Sequence, residues 1–358
     1  MAWVLGIETS CDETAVAIAD ETGRVLAEEV ASQTALHAPH GGIVPEIAAR
    51  AHLELLPPLV ARVLARCGQP PSAIDAVAAT TGPGLKVALV VGVSFAKALA
   101  FGWDRPFVAV HHLEAHALSP GMVEDTAFPY LLLLVSGGHT QLLVVEDVGR
   151  YHLLGTTIDD AAGETFDKGA RLLGLGYPGG PAIARAAQGG DPHRFDLPRP
   201  LAGSTDFVFS FAGLKTALAE QVRRLGGPAA LDPATRRDLA ASLEQAIVDV
   251  LIDRIERALD HYRATWRPAR PVLVAAGGVA ANARLRAALA ELAAEKAVEV
   301  VIPPQRYCTD NAAMVAHAGA LRFTRGWSDG LDAPVRARWP LDEARAGRLG
   351  GGAKGPKA

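Results

Sequence analysis

The chain has 358 residues, 49% hydrophobic and 21% charged; that balance excludes a largely disordered protein, and the length points to two domains. Thirty-five basic residues against 39 acidic ones give a net charge of −4, which excludes a globally cationic nucleic-acid binder but not local basic patches. Three scattered cysteines, Cys11, Cys67 and Cys308, argue against a disulfide framework or a thiolate zinc finger and fit a reducing compartment.

The N-terminus places Glu8, Asp12 and Glu13 where a signal peptide needs an apolar core. The apolar stretch 87–99 contains Gly92, Ser94 and Lys97 and falls short of spanning length. The expectation is a soluble, cytoplasmic protein with no membrane association.

Short apolar runs separated by polar turns predict strands at 4–7, 15–19 and 24–31. A helix at 46–65, a strand at 73–79, a helix at 85–101 and a strand at 107–110 follow. The same grammar returns with strands at 130–135, 141–146 and 151–158. Helices near 162–173, 211–225 and 232–262, a strand at 272–275 and helices at 279–296 and 312–321 follow that second set. An α/β pattern used twice predicts two related lobes with a ligand in the cleft between them. The expected division is 1–125 with 307–340 returning to it, and 126–306 as the second lobe. Segment 191–210 reads as an irregular loop, and the Gly- and Lys-rich tail 341–358 as disordered.

Several segments carry chemistry. His112 and His116 are four apart and share one face of a helix, whereas His111 does not. A zinc protease would need Glu directly after the first histidine, and Leu113 stands there. The best third donor is Asp310, just before the helix at 312–321, although Thr309 or Asp310 acting as that helix's cap explains the segment equally well. His112, His116 and Asp310 together would form a two-histidine, one-carboxylate set suited to Fe(II) and tolerable for Zn(II). The turn Glu8 to Thr14 is acidic and fits proton or metal handling. The matching turn Ser136-Gly137-Gly138 lets backbone N–H groups approach a phosphate. Gly277-Gly278 opens a helix after a strand, as anion sites do, although many such junctions are merely tight. The acidic segment 159–168 reads either as a solvated helix start or, with the Tyr177 to Pro181 turn, as a ribose contact through Asp167 and Gly180.

Taken in order, GIETSCDET, GGIVPEIAAR, TTGPGL, HHLEAH, LVSGGHTQL, IDDAAGETFDK, YPGGP, FSFAGLKT, GGVAANARLR and CTDNAAM resemble the TsaD family of tRNA threonylcarbamoyladenosine transferases. The resemblance runs almost to Arg338-Trp339-Pro340. It implies an α/β, two-lobed actin/Hsp70/sugar-kinase-like (ASKHA) fold of duplicated ribonuclease-H-like domains around a nucleotide cleft. It also implies transfer of a threonylcarbamoyl group from L-threonylcarbamoyladenylate to N6 of the adenine 3′ of the anticodon, in tRNAs reading codons that begin with A. The implied metal ligands are His112, His116 and Asp310, holding one divalent ion. The implied substrate contacts are Leu134, Val135, Ser136, Gly137, Gly138, Asp167, Gly180 and Asn282. Ala184 stands where many relatives are acidic, so no contact is expected there. Asp12 or Glu13 is the candidate proton acceptor. The resemblance further implies a paralogous non-catalytic subunit and a P-loop ATPase as partners, with tRNA held by local patches for which Arg194, Arg199, Arg223 and Arg224 are candidates. An ATP-dependent small-molecule kinase and a non-catalytic nucleotide-binding scaffold are the alternatives within the same fold.

Overall fold

The computed structural model describes residues 1–343; the expectation of a disordered tail falls, from residue 344 on, outside the described residues. In chain order the first elements are β1 (Val4–Glu8), β2 (Glu13–Ala19), β3 (Val25–Ser32), α1 (Thr34–His37), α2 (Pro45–Cys67) and β4 (Ala76–Gly82). α3 (Lys86–Trp103), β5 (Phe107–His111) and α4 (His112–Leu118) follow. Next come β6 (Tyr130–Val135), β7 (Thr140–Asp147), β8 (Arg150–Thr156), α5 (Ala162–Leu172), α6 (Gly179–Ala186), α7 (Ala212–Arg224) and α8 (Pro233–Trp266). β9 (Val272–Ala276), α9 (Ala283–Lys296), β10 (Glu299–Val301), α10 (Gln305–Cys308) and α11 (Ala312–Phe323) complete the chain. Residues 1–126 with 303–343 form one compact unit, and 127–302 the other.

The first unit holds a five-stranded sheet in the order β3-β2-β1-β4-β5. β1 pairs antiparallel with β2 and parallel with β4. Every residue of β1 is buried, as a central strand covered on both faces must be. α2 and α3 supply one cover, where Leu56, Leu59, Val63 and Val93 join Leu5, Ile7, Val16 and Val77 in the core. α11 supplies the other, so close to β1 that a Cβ at Gly6 would lie 2.4 Å from the Ala316 nitrogen. α2 continues through Pro57 and Pro58 because both face solvent, where the carbonyls they leave unpaired can be hydrated. α3 is longer than the stretch picked out in the sequence, and by length and composition alone it could cross a membrane. It instead buries Ala88, Leu89, Gly92, Val93, Ala96 and Ala100 in this unit.

The second unit repeats the topology, with strand order β10-β9-β6-β7-β8. Its first three strands form an antiparallel meander, and β9 and β10 add in parallel. The 34-residue α8 starts where the Asp232 carboxylate accepts from the Ala234 and Thr235 N–H groups at 2.9 and 3.0 Å. α6 and β10 were not foreseen in the sequence, and α9 begins at Ala283 because a single 3-10 turn occupies Gly278–Ala281. No named helix or strand occupies 191–210. The buried Arg254 of α8 fixes this loop by donating to the Ser204 and Asp206 carbonyls at 2.8 and 2.9 Å, and to that of Leu201.

Candidate functional site

In the first unit α4 presents His112 and His116 toward the segment before α11. His116 Nε2 lies 3.1 Å and His112 Nε2 3.6 Å from Asp310 Oδ1, and one donor atom from each residue falls within 4.8 Å of the others. First-row metals bind nitrogen and oxygen at about 2.0–2.2 Å, which sets neighbouring donors roughly 3 Å apart. The three side chains therefore fit a single ion. Both imidazoles are almost fully buried, while Asp310 keeps 21% of its side-chain exposure, so the set has an open side.

The cap is where the sequence reading needs correction. Neither Thr309 nor Asp310 caps α11; the Asn311 side chain accepts from the Met314 N–H at 2.8 Å. That leaves Asp310 to face the histidines.

Behind His112 stands Glu8, at the buried end of β1. Its Oε2 lies 3.2 Å from His112 Nδ1 and accepts from Thr80 Oγ1, while Oε1 accepts from the Ser10 N–H. A carboxylate on Nδ1 fixes the tautomer and turns Nε2 toward the ligand position. Burial opposes charge on Glu8, but the His112 ring beside it outweighs that and holds the carboxyl below its ordinary range. Burial likewise opposes the His112 imidazolium, yet Asp310 and Glu8 together push it up to about 9. The sequence marks the Glu8 to Thr14 turn as fit for proton or metal handling, but not the pairing of Glu8 with His112, which joins residues 104 positions apart.

The β1–β2 turn is pinned from several directions. Leu85 N–H donates to the Ser10 carbonyl at 2.8 Å, Gln33 N–H to that of Asp12 at 3.0 Å, and His52 Nε2 to that of Cys11 at 3.0 Å. His52 Nδ1 in turn lies 2.8 Å from Thr14 Oγ1, and burial keeps this imidazole below its usual range. The turn thus holds Asp12 and Glu13 rigidly. Burial, then the Asp310 and Asp12 carboxylates, raise Glu13 to about 9.

The second unit gathers the glycine turns. Leu134 and Val135 point into its core, so this run can offer a ligand only backbone groups. A Cβ on Gly163 would sit 2.5 Å from the Ser136 carbonyl, and one on Gly277 2.4 Å from that of Val135, so three turns approach here. Gly137 and Gly138 are exposed with open space at their Cβ positions. Asp167 Oδ1 accepts from the Gly179 N–H at 2.7 Å, placing Asp167 and Gly180 side by side. Asn282 caps α9 through its Oδ1 and donates Nδ2 to Glu244 at 2.7 Å. The four arginines considered for tRNA each meet an acidic partner: Arg194 with Asp238, Arg199 with Asp249, and Arg223 and Arg224 both with Glu220.

The chain matches the family model described as TsaD, tRNA N6-adenosine threonylcarbamoyltransferase, over residues 24–317. It is 53% identical over 366 residues to a protein of that name from Maricaulis maris, covering 99% of this chain and 96% of the relative. It is 55% identical over 355 residues to one from Sphingopyxis alaskensis, covering 99% and 100%. Among solved structures it resembles HypF of T. kodakarensis, with TM-score 0.59 and 15% identity over 91% of this chain and 48% of that one. At that identity the likeness speaks for the fold alone.

Proposed function

The chain belongs to the tRNA N6-adenosine threonylcarbamoyltransferase family, and we propose that it works with one Fe(II) ion held by His112, His116 and Asp310. The enzyme transfers the threonylcarbamoyl group from L-threonylcarbamoyladenylate to N6 of the adenine 3′ of the anticodon in tRNAs reading codons that begin with A. AMP is released. The family match displaces the kinase and scaffold alternatives. The observation that carries the metal reading is the convergence of those three donors on one buried spot.

The reaction is acyl transfer to an amine. The carbamoyl carbon loses its bond to the phosphate oxygen, forms one to N6, and a proton leaves N6. Because AMP is a good leaving group, positioning and charge stabilisation supply most of the acceleration. When bound, the metal supplies Lewis-acid polarisation of substrate oxygens. In the second unit, the N–H groups of Gly137 and Gly138 hold the adenylate phosphate, and Asp167 with Gly180 holds its ribose. The open space over Gly137 and Gly138 supports this reading. Asn282 retains a second Nδ2 proton for the nucleotide. One of the two acidic turn residues, Asp12 or Glu13, takes the N6 proton.

A cytoplasmic location, a paralogous non-catalytic subunit and a P-loop ATPase complete the proposal. With the candidate arginines already paired, we assign much of the tRNA grip to those subunits. Elemental analysis of purified protein beside H112A, H116A and D310A, with single-turnover transfer from threonylcarbamoyladenylate to unmodified tRNA, tests the core of it. About one iron per chain, lost together with transfer in all three variants, is expected. Metal retained in all three overturns the assignment, and a transfer rate unchanged in D12N removes Asp12 as the proton acceptor.

A further inference from the structure

His111 precedes the two candidate ligands but lies off their face, and the reaction gives it no task. It nonetheless makes two directional bonds. Its Nδ1 accepts from the Leu113 N–H at 3.1 Å, capping α4. An accepting Nδ1 leaves the proton on Nε2, which donates to the Trp339 carbonyl at 2.8 Å. The His111 and Trp339 rings lie 4.6 Å apart.

Trp339 belongs to an irregular segment, residues 327–343, that follows α11 and runs along β5 and past the end of β4. Asp329 N–H donates to the Phe107 carbonyl and its Oδ2 accepts from the Ala109 N–H, both at 2.8 Å. Lys97 Nζ donates to the Ala333 carbonyl at 2.6 Å. Arg336 N–H reaches the Thr81 carbonyl at 2.9 Å, and Gly84 N–H the Ala337 carbonyl at 3.2 Å. The approach is so close that a Cβ on Gly82 would lie 2.0 Å from the Arg336 carbonyl oxygen. Arg336 and the Trp339 indole both donate to Glu343 at 2.9 Å, closing the segment on itself.

α4 has only seven residues, too few to sustain a helix by its own hydrogen bonds, and its first residue is His112. Fraying at that end moves a candidate ligand directly. We infer that this C-terminal strap acts through His111 as a clasp that sets the position of α4, making His111 and Trp339 positioning residues for the metal set. The inference rests on the proposal that His112, His116 and Asp310 hold a metal.

Co(II), followed by its visible absorption and titrated against a chelator, is the probe. H111A is expected to bind it about 2- to 30-fold more weakly, as loss of a helix cap does. H111N, which returns a capping acceptor, is expected to recover part of that loss. W339A is expected to weaken binding by about threefold or more, and the double variant H111A/W339A to bind no more weakly than H111A, since coupled residues are not additive. Tight wild-type binding with unchanged affinity in both H111A and H111N overturns this inference alone. So does full additivity of H111A and W339A. A wild-type protein that binds no Co(II) overturns the metal proposal and the clasp with it.

Discussion

Replacing Glu8 by Gln removes one charge from a fully buried position while keeping the side chain's shape. In the metal-free protein the His112 imidazolium is disfavoured by burial but favoured more strongly by Asp310 and Glu8, reaching about 9 against an ordinary 6.5. That difference is about 3 kcal/mol in favour of the proton. At pH 7 an incoming metal therefore competes with a proton for Nε2, at a cost of roughly 100-fold in affinity. E8Q weakens the proton's hold and also weakens the orientation of the ring. The two effects oppose each other near pH 7 and separate as pH rises. Wild-type affinity for Zn(II) should climb about tenfold per pH unit between 6.5 and 9 through His112, and E8Q, in which Asp310 alone still favours the imidazolium, should level off at lower pH. Near pH 9, where half of the His112 rings have lost the proton and its competition costs only about twofold, E8Q should bind about 10- to 100-fold more weakly. Chelator-buffered Zn(II) titrations at pH 6.5, 7.5 and 8.5 measure both slopes. Equal slopes and equal affinities would refute the role of Glu8.

The neighbouring residues of the cap segment should separate cleanly. N311A is expected to lose about 1 kcal/mol of stability with metal content intact, whereas D310N should lose the metal; denaturant midpoints and elemental analysis read both. Without metal, His112 and Glu13 hold protons in the fold that the unfolded chain loses at ordinary values of 6.5 and 4.5. Each contribution is most favourable below its unfolded value and is lost as pH rises to about 9. The urea midpoint of EDTA-treated protein should therefore fall between pH 6 and pH 9, and a rise would contradict these assignments. G6A forces a methyl to within 2.4 Å of the α11 backbone, which cannot move as a side chain does; a loss of about 3 kcal/mol is expected by chemical denaturation.

Much of this molecule is legible along the chain because the information is local. Apolar runs of strand length, broken by polar turns, mark β1 to β3 and again β6 to β8, since alternate pleating and tight turns depend on adjacent residues. The four-residue spacing of His112 and His116 fixes a shared helical face by geometry alone. Asp310 emerges from chemical complementarity, a carboxylate to complete two imidazoles.

What adjacency cannot show is who stands behind whom. Glu8 meets His112 across 104 positions because β1 and β5 flank β4 in one sheet. Trp339 meets His111 across 228 positions because the strap runs along β5 and past the end of β4. The choice of Asn311 over Asp310 as the cap depends on backbone angles at the start of α11, which the residue types leave open, all three of Thr309, Asp310 and Asn311 being good caps. The sequence by itself determined the repeated α/β grammar and the three candidate metal-ligating residues. Tertiary structure decided which atoms converge, because burial and hydrogen bonding between distant strands, and not spacing, set the tautomer of each histidine and the charge of each carboxyl.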